Sequence, residues 1–472
     1  MPTAPGMYSA VHSILPMSSV RLLLASVRSL LRRTFDARPW RPAHARVLWF
    51  QVARRKWSSE ARLSDDEHLT AAAAWLERAQ DVMTDGGVCG RYTLSRGWTS
   101  SYPETTGYVI PTFLALAREF GEPRFNDRAA RCVAFLLSLQ LPEGGFPAGE
   151  VRENTRRPSV FNTAQVLSGL VAWHAFAGDP LALAAAARAA NWLVSVQGTD
   201  GGWYRHVYAG VAATYTAFAS CCLAEFGEQI GEPEYLAAAD RHLTWSMRHC
   251  DPATGWFDLA GFTREEHAAR RAMTHTIAYT LMGVLRSSEV VGRSDGIAAV
   301  GHAAAAIVGR LERSRWLPGM LDHRWRGRSS FACLTGNAQL ALLWFRLHQR
   351  HGASSGLVNA AVRALNLVKR GQLMFPDDPN LRGGIPGSDP LWGGYLTYAL
   401  PNWAAKFFID AMLERRRSQA GFSTRPDDAG EVPDDVPQSV PISSVGARSP
   451  GARSGAHLER LLPRWPSPSE GR

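Results

Sequence analysis

RAARCVAFLLSLQLPEGGF, from Arg128 to Phe146, and RAANWLVSVQGTDGGW, from Arg188 to Trp203, follow one plan. Each is an Ala-rich amphipathic segment that reaches a Gln, turns on Gly-Gly and ends on an aromatic ring. Outward from this pair the plan recurs with a period of about 50 to 65 residues, a spacing that signals stacked helical units closing into an array. Ala-rich helices with Arg and Glu along one face are expected at His68 to Met83, Phe125 to Gln140, Leu181 to Gln197, Tyr235 to His249, Ile297 to Arg313 and Leu357 to Gln372. That pattern suits a helix with one side in solvent. Between them lie segments apolar nearly all round: Thr105 to Phe120, Asn162 to Phe176, Thr214 to Ile230, His275 to Val290, Asn337 to Gln349 and Asn402 to Leu413. Small or polar residues open each of these, as helix N-termini require.

Six outer and six inner helices in alternation predict an all-α fold, an (α/α)6 toroid over residues 65–415. Long glycine-rich loops lead from outer to inner helix, while the returns are short, such as Phe120-Gly121-Glu122-Pro123. The rim with long loops is therefore the expected place for a site. An open superhelix is the rival architecture.

Residues 1–64 read as a basic extension and 416–472 as a disordered tail, the latter because RPDDAGEVPDDVPQSVPISS cannot bury enough apolar surface to offset its ordering entropy. Of the net charge of +10, +8 lies in residues 1–60, where ten Arg or Lys face only Asp36 and Glu60. The toroid itself is near neutral, which speaks against nucleic-acid binding. Trp40, Trp49, Phe50 and Trp57 could dock the extension on the ring. No signal peptide or spanning segment is read; an alternative to an inert extension is a basic amphipathic helix, Ser18 to Phe35, lying on an anionic membrane surface. Six cysteines without C-x-x-C spacing fit a reducing, cytoplasmic setting and predict neither a metal site nor a cofactor.

The paired Gln-Gly-Gly-aromatic passages resemble the Q-x(2-5)-G-x-W turn of terpenoid cyclases and protein prenyltransferase β subunits. The resemblance implies architecture: the Gln bonds backbone at the helix end, Gly-Gly permits positive φ, and the aromatic stacks on the next hairpin. The DxDD-like acid of a cyclase is missing from the chain, and no Asp, Cys and His trio stands out for zinc. The hairpin ring also resembles six-hairpin glycosidases, polysaccharide lyases and the helical domain of glucuronyl epimerases. Gly97 to Thr112, Cys333 to Trp344 and Gly383 to Phe408 resemble toroid proteins of bacterial surface-polysaccharide loci. These likenesses imply a polysaccharide or oligosaccharide ligand.

Glu104, after Tyr102-Pro103 at the mouth of the first inner helix, is the first catalytic candidate, or else an N-terminal cap. Asp200, Tyr204 and His206 offer a carboxylate, a phenol and an imidazole in one loop, although Asp200 could equally close its own turn. His275 opens the fourth inner helix and would point at the cavity or cap the helix. Trp98, Tyr102, Trp203, Tyr215 and Trp392 are candidate sugar platforms; Asn162, Asn337 and Asn402 are candidate hydrogen-bond partners or caps. Arg152, Asp322, Arg324 and Asp389 are rim candidates, the arginines suited to a uronate carboxylate. Processing of a polysaccharide is the leading expectation: lyase or epimerase chemistry if it contains uronic acid, hydrolysis between two carboxylates such as Glu104 and Asp200 if it is neutral. The alternatives are an isoprenoid-handling toroid with a greasy closed cavity, and a non-catalytic scaffold in which Glu104, Tyr204, His206 and His275 do not converge.

Overall fold

The structure, a computed structural model, describes residues 32, 34–53, 63–151, 157–314, 316–352 and 355–423. Arg152, Trp57 and most of the Ser18 to Phe35 segment lie outside the described residues.

Six helical hairpins follow one another. The outer helices are Asp65–Asp81, Arg124–Leu139, Pro180–Ser195, Pro233–Arg248, Ser294–Ser314 and Ser355–Gly371. The inner helices are Pro103–Phe120, Val160–Ala177, Ala217–Ile230, Thr274–Val291, Leu334–His351 and Asn402–Ser423, the third being preceded by a 3-10 turn at Thr214–Thr216. Local chemistry sets the ends. Ser64 and Glu67 form a reciprocal capping box on the first outer helix, and Asp179 caps the third by accepting from the N–H groups of Leu181 and Ala182. The first and second inner helices stop at the left-handed glycines Gly121 and Gly178, which shortens the return to the next outer helix.

Burial follows the expected two-layer pattern. The second outer helix buries Phe125, Ala129, Cys132, Val133 and Leu136, one stripe at helical spacing, whereas the fourth inner helix is buried continuously from Thr274 to Leu285. Inner helices touch backbone to backbone: a Cβ on Gly107 would lie 2.6 Å from Val166 Cα, and one on Gly169 would lie 2.2 Å from Gly107 O. Only glycine permits that approach.

The turn after the outer helix carries a repeated stitch. Gln140 Nε2 donates to Gly144 O in its own loop and to Ala185 O of the next outer helix, at 2.9 and 2.8 Å. Gln197 does the same with Gly201 O and Ala238 O, and Gln80 with Gly86 O and Arg128 O. The accompanying glycine has positive φ (101° at Gly144, 93° at Gly201) and presses on the next outer helix, where a Cβ on Gly201 would meet Arg241 O at 2.1 Å. Sequence reading placed this Gln within its own turn; its second bond, into the neighbouring hairpin, is what makes the ring cohere.

The same stitch closes the ring. Gln372 Nε2 donates to Gly383 O and to His68 O of the first outer helix, both at 3.0 Å, while its Oε1 lies 2.6 Å from His68 Nδ1. On the inner layer, Asn402 Nδ2 donates to Thr105 Oγ1 at 2.8 Å and Thr112 Oγ1 donates to Asp410 Oδ1 at 2.7 Å. On the rim, the strand Arg91–Thr93 pairs antiparallel with Ala399–Pro401. The closed toroid therefore stands over the open superhelix.

Two features exceed the sequence reading. The last helix continues past Leu413 to Ser423, held by Arg415 on Asp65 at 2.6 Å and by Arg416 on Asp66 and Glu119. Upstream, Pro42–Ala53 is a helix that docks on the last long loop through Val47, through Gln51 Oε1, which accepts from Leu391 N–H, and through Phe50 against Phe375. Trp40 and Trp49 stay exposed.

Candidate active site

The first inner helix begins Tyr102-Pro103-Glu104, with Pro at its first position and no side chain capping it. Glu104 instead accepts a 2.6 Å hydrogen bond from the Tyr102 hydroxyl. The carboxyl is deeply recessed yet still reached by solvent. Burial pushes its pKa from an ordinary 4.5 to about 7, the Tyr102 bond pulling only part of the way back.

Five tyrosines lie close enough to this carboxyl to feel its charge: Tyr102 just before the first inner helix and Tyr108 within it, Tyr215 of the 3-10 turn before the third, Tyr279 of the fourth and Tyr395 of the last rim loop. Burial raises every one of these phenols, and Glu104 adds to the rise, so all five remain protonated donors. His275 joins the group with its ring 4.8 Å from Tyr279 and 5.4 Å from Tyr395. Burial lowers its pKa to about 4, against the opposing effect of Gln339, whose Oε1 lies 2.8 Å from Nδ1. Gln339 thus fixes an uncharged ring with the proton on Nδ1 and a lone pair on Nε2. Phe161 of the second inner helix packs edge-on to Tyr215 and Tyr279, and Phe407 of the sixth packs on Tyr108 and Tyr279. Five inner helices and the 3-10 turn before the third thus supply side chains to one central cluster.

At the rim, Arg91 pairs with Glu150 at 3.1 Å, and Arg91 acts electrostatically on Tyr395. Trp403 lies 6.4 Å from Tyr102 and donates to Tyr395 Oη at 3.0 Å. Sequence reading did not select Arg91, Glu150, Phe161, Tyr279, Tyr395 or Trp403. Tyr279 had one usable signal, its position one turn after His275; Arg91 and Glu150 had none before the loops were placed.

Of the residues singled out in the sequence, Glu104, Tyr102, Tyr215 and His275 come together, and Asn162 reaches the Tyr102 phenol. Asp200, Tyr204 and His206 stand elsewhere. Asp200 accepts from Gly202 N–H at 3.1 Å and from the Tyr204 hydroxyl at 2.5 Å, which keeps its pKa below the usual carboxylate range. Trp245 of the fourth outer helix donates to Tyr204, and His206 leans exposed on Trp192. Trp203 is fully buried against His242 and bonds Leu193 O. Trp98 packs between Trp75 and Tyr92 and bonds Asn380. Asp322 is buried and held at about pKa 2: burial opposes ionisation, but the Arg326 and Arg324 N–H groups and the Arg328 guanidinium outweigh it. Arg324 is exposed beside it. Asn337 donates to Cys333 O in the loop before its own helix, and Asn402 donates to Cys89 O in the loop before the first inner helix. Asp389 pairs in a short strand with Ala332, and Trp392 is half-buried nearby. Among the described residues no three His, Cys, Asp or Glu side chains gather to hold a metal ion.

No protein-family profile matches the chain. No curated protein matches it significantly. Solved structures do. An unsaturated glucuronyl hydrolase specific for heparin superposes with a TM-score of 0.59 at 17% identity, covering 76% of this chain and 99% of that one. An unsaturated glucuronyl hydrolase from a Bacillus species, responsible for the degradation of glycosaminoglycan, gives 0.58 at 15%, over 75% and 97%. Cellobiose 2-epimerase from Bacillus thermoamylovorans gives 0.59 at 11%, over 74% and 97%. At these identities the likeness is one of fold: the chain is similar to the six-hairpin glycosidases and sugar epimerases in being a complete α/α toroid.

Proposed function

We propose that this protein is a carbohydrate-active enzyme that takes one end of a uronic-acid-containing oligosaccharide into the hollow and processes it by acid–base chemistry. The observation that carries the reading is Glu104, a recessed carboxyl poised near pKa 7 under the Tyr102 hydroxyl. A group of that pKa exchanges a proton readily at neutral pH, which is what general acid–base catalysis needs. The tyrosine ring supports a polyhydroxylated guest, because each phenol offers both a face to stack on and a hydroxyl to bond. An isoprenoid would leave those hydroxyls unmatched.

His275 is the second acid–base candidate. Its uncharged Nε2 accepts a proton, and Gln339 steadies the imidazolium so formed only weakly, which suits transient proton transfer. Arg91 is the cation best placed for a uronate carboxylate, and Glu104 in its neutral form does not repel such an anion. Hydrolysis, elimination and epimerisation all draw on this set. Hydrolysis further requires a second carboxylate to work on water or the sugar, and Glu150 is the one near Tyr102.

The test is a panel of uronate and neutral oligosaccharides incubated with the full chain and with Glu104→Gln. Product mass separates the reactions: gain of water for hydrolysis, none for elimination or epimerisation, and a new ultraviolet-absorbing double bond for elimination alone. No product from any sugar, or equal turnover by Glu104→Gln, would sink the proposal.

A further inference from the structure

The helix Pro42–Ala53 wears its apolar surface partly on the wrong side. It buries His44, Val47 and Gln51 toward the ring, while Arg46, Trp49 and Val52 share the opposite face. Trp49 is 67% exposed, and Phe35, Trp40 and Phe375 are 64%, 59% and 56% exposed. Isolated exposed aromatics are ordinary, but Trp49 and Phe375 are exposed across one groove, which marks a surface that meets something. Between Trp49, Phe50 and the loop Leu373 to Pro376 lies an apolar cavity of about 250 Å³.

The charge on the elements that build this groove is mixed, with a basic excess on the side of the chain that enters it. Arg46 lines it, and Arg32 and Arg41 are exposed on the chain leading into its helix; against them stand Asp36, 3.9 Å from Arg32, Asp377, paired with Arg46, and Asp378, whose charge reaches His44. The surrounding sequence raises the same charge further, since residues 1–60 hold ten Arg or Lys against two acids, whereas the remainder of the chain is close to neutral. A uronate sugar would use the rings and the cations but gain nothing from a greasy cavity. A layer of anionic headgroups over acyl chains would use all three: Trp settles at the headgroup level, guanidinium groups meet phosphates, and the cavity receives hydrocarbon.

We propose that the aromatic groove formed by Trp49, Phe50 and Phe375, with Arg46 at its edge, docks the protein on an anionic lipid surface. No described helix is long and apolar enough to span a membrane, so the contact is peripheral. It is independent of the chemistry in the hollow, although the loop that carries Phe375 also carries Tyr395.

The experiment is co-sedimentation of the full chain with phosphatidylcholine vesicles and with vesicles that also contain phosphatidylglycerol, at low and high salt. Binding to the anionic vesicles alone, weakened by salt and accompanied by a blue shift of Trp fluorescence, is expected. Trp49→Ser with Phe375→Ser should lower the affinity by about tenfold or more, given the apolar area two rings would otherwise bury. Both positions are exposed, so an unchanged thermal melt shows that the variant is folded. Equal binding to neutral vesicles, or binding untouched by the double substitution, overturns the proposal. So does absence of vesicle binding, whether the groove then proves to hold an oligosaccharide or a second copy of the chain, the latter read as a dimer in sedimentation that Trp49→Ser disrupts.

Discussion

Replacing Glu104 by Gln should remove activity and, at the same time, make the protein more stable in alkali. Glu104 carries a folded-state pKa of about 7 against an ordinary 4.5. The unfolded chain therefore releases its proton first, and between those values the native state holds more protons than the unfolded one. Stability falls as pH rises through that window and levels off above it. The loss from this one group is about 2 kcal/mol at pH 6 and at most about 3 kcal/mol at pH 8, since solvent reaching the carboxyl reduces it. Gln keeps the shape and can still accept from the Tyr102 hydroxyl, yet it never ionises. Urea unfolding of both proteins at intervals from pH 4 to pH 8 should give coincident stabilities at the acid end and a widening advantage for Glu104→Gln above about pH 5. Parallel curves would show that Glu104 ionises like an exposed carboxylate, and the case for it as an acid–base group would fall with them.

Tyr102→Phe removes the hydroxyl that donates to Glu104, so the carboxyl pKa should climb further, and any pH–rate limb governed by it should move to higher pH with activity partly retained. An unmoved limb would assign that limb to another group. Gln372→Ala strips the ring seam of two donated bonds and takes from the buried His68 Nδ1 and from Gly383 O the partner each has here; a loss of about 2 to 4 kcal/mol in chemical denaturation is expected. A loss within error would make the stitch ornamental. Gly201→Ala places a Cβ 2.1 Å from Arg241 O at a φ of 93°, and should cost about 3 kcal/mol or more, or prevent folding, without altering the chemistry of any protein that survives.

The architecture was legible because it is written several times over. Helix type, alternation and turn could each be read from one hairpin and checked in the next, and the capping residues at Ser64 and Asp179 fixed boundaries locally. The site was legible only where a side chain's direction follows from its place on an inner helix. That rule selected Glu104, Tyr215 and His275, which come together in one cluster. It failed for Asp200, Tyr204 and His206, whose nearness in sequence suggested a shared task, because the Gly201-Gly202 turn swings their loop against Trp245 of the fourth outer helix. Arg91 and Tyr395 escaped for the opposite reason. They meet the hollow only once the first and last rim loops have paired, a juxtaposition that nothing short of the closed ring reveals.

That closure bears on how the protein is made. The first hairpin to leave the ribosome carries His68, Thr105 and Thr112, whose partners Gln372, Asn402 and Asp410 are synthesised last. Until they arrive the nascent chain holds an unfinished edge with apolar and polar groups both unmet, the kind of exposed intermediate that attracts chaperones and aggregates when translation stalls. Truncations anywhere before the sixth hairpin should therefore accumulate as insoluble fragments rather than as smaller, working arcs of the ring.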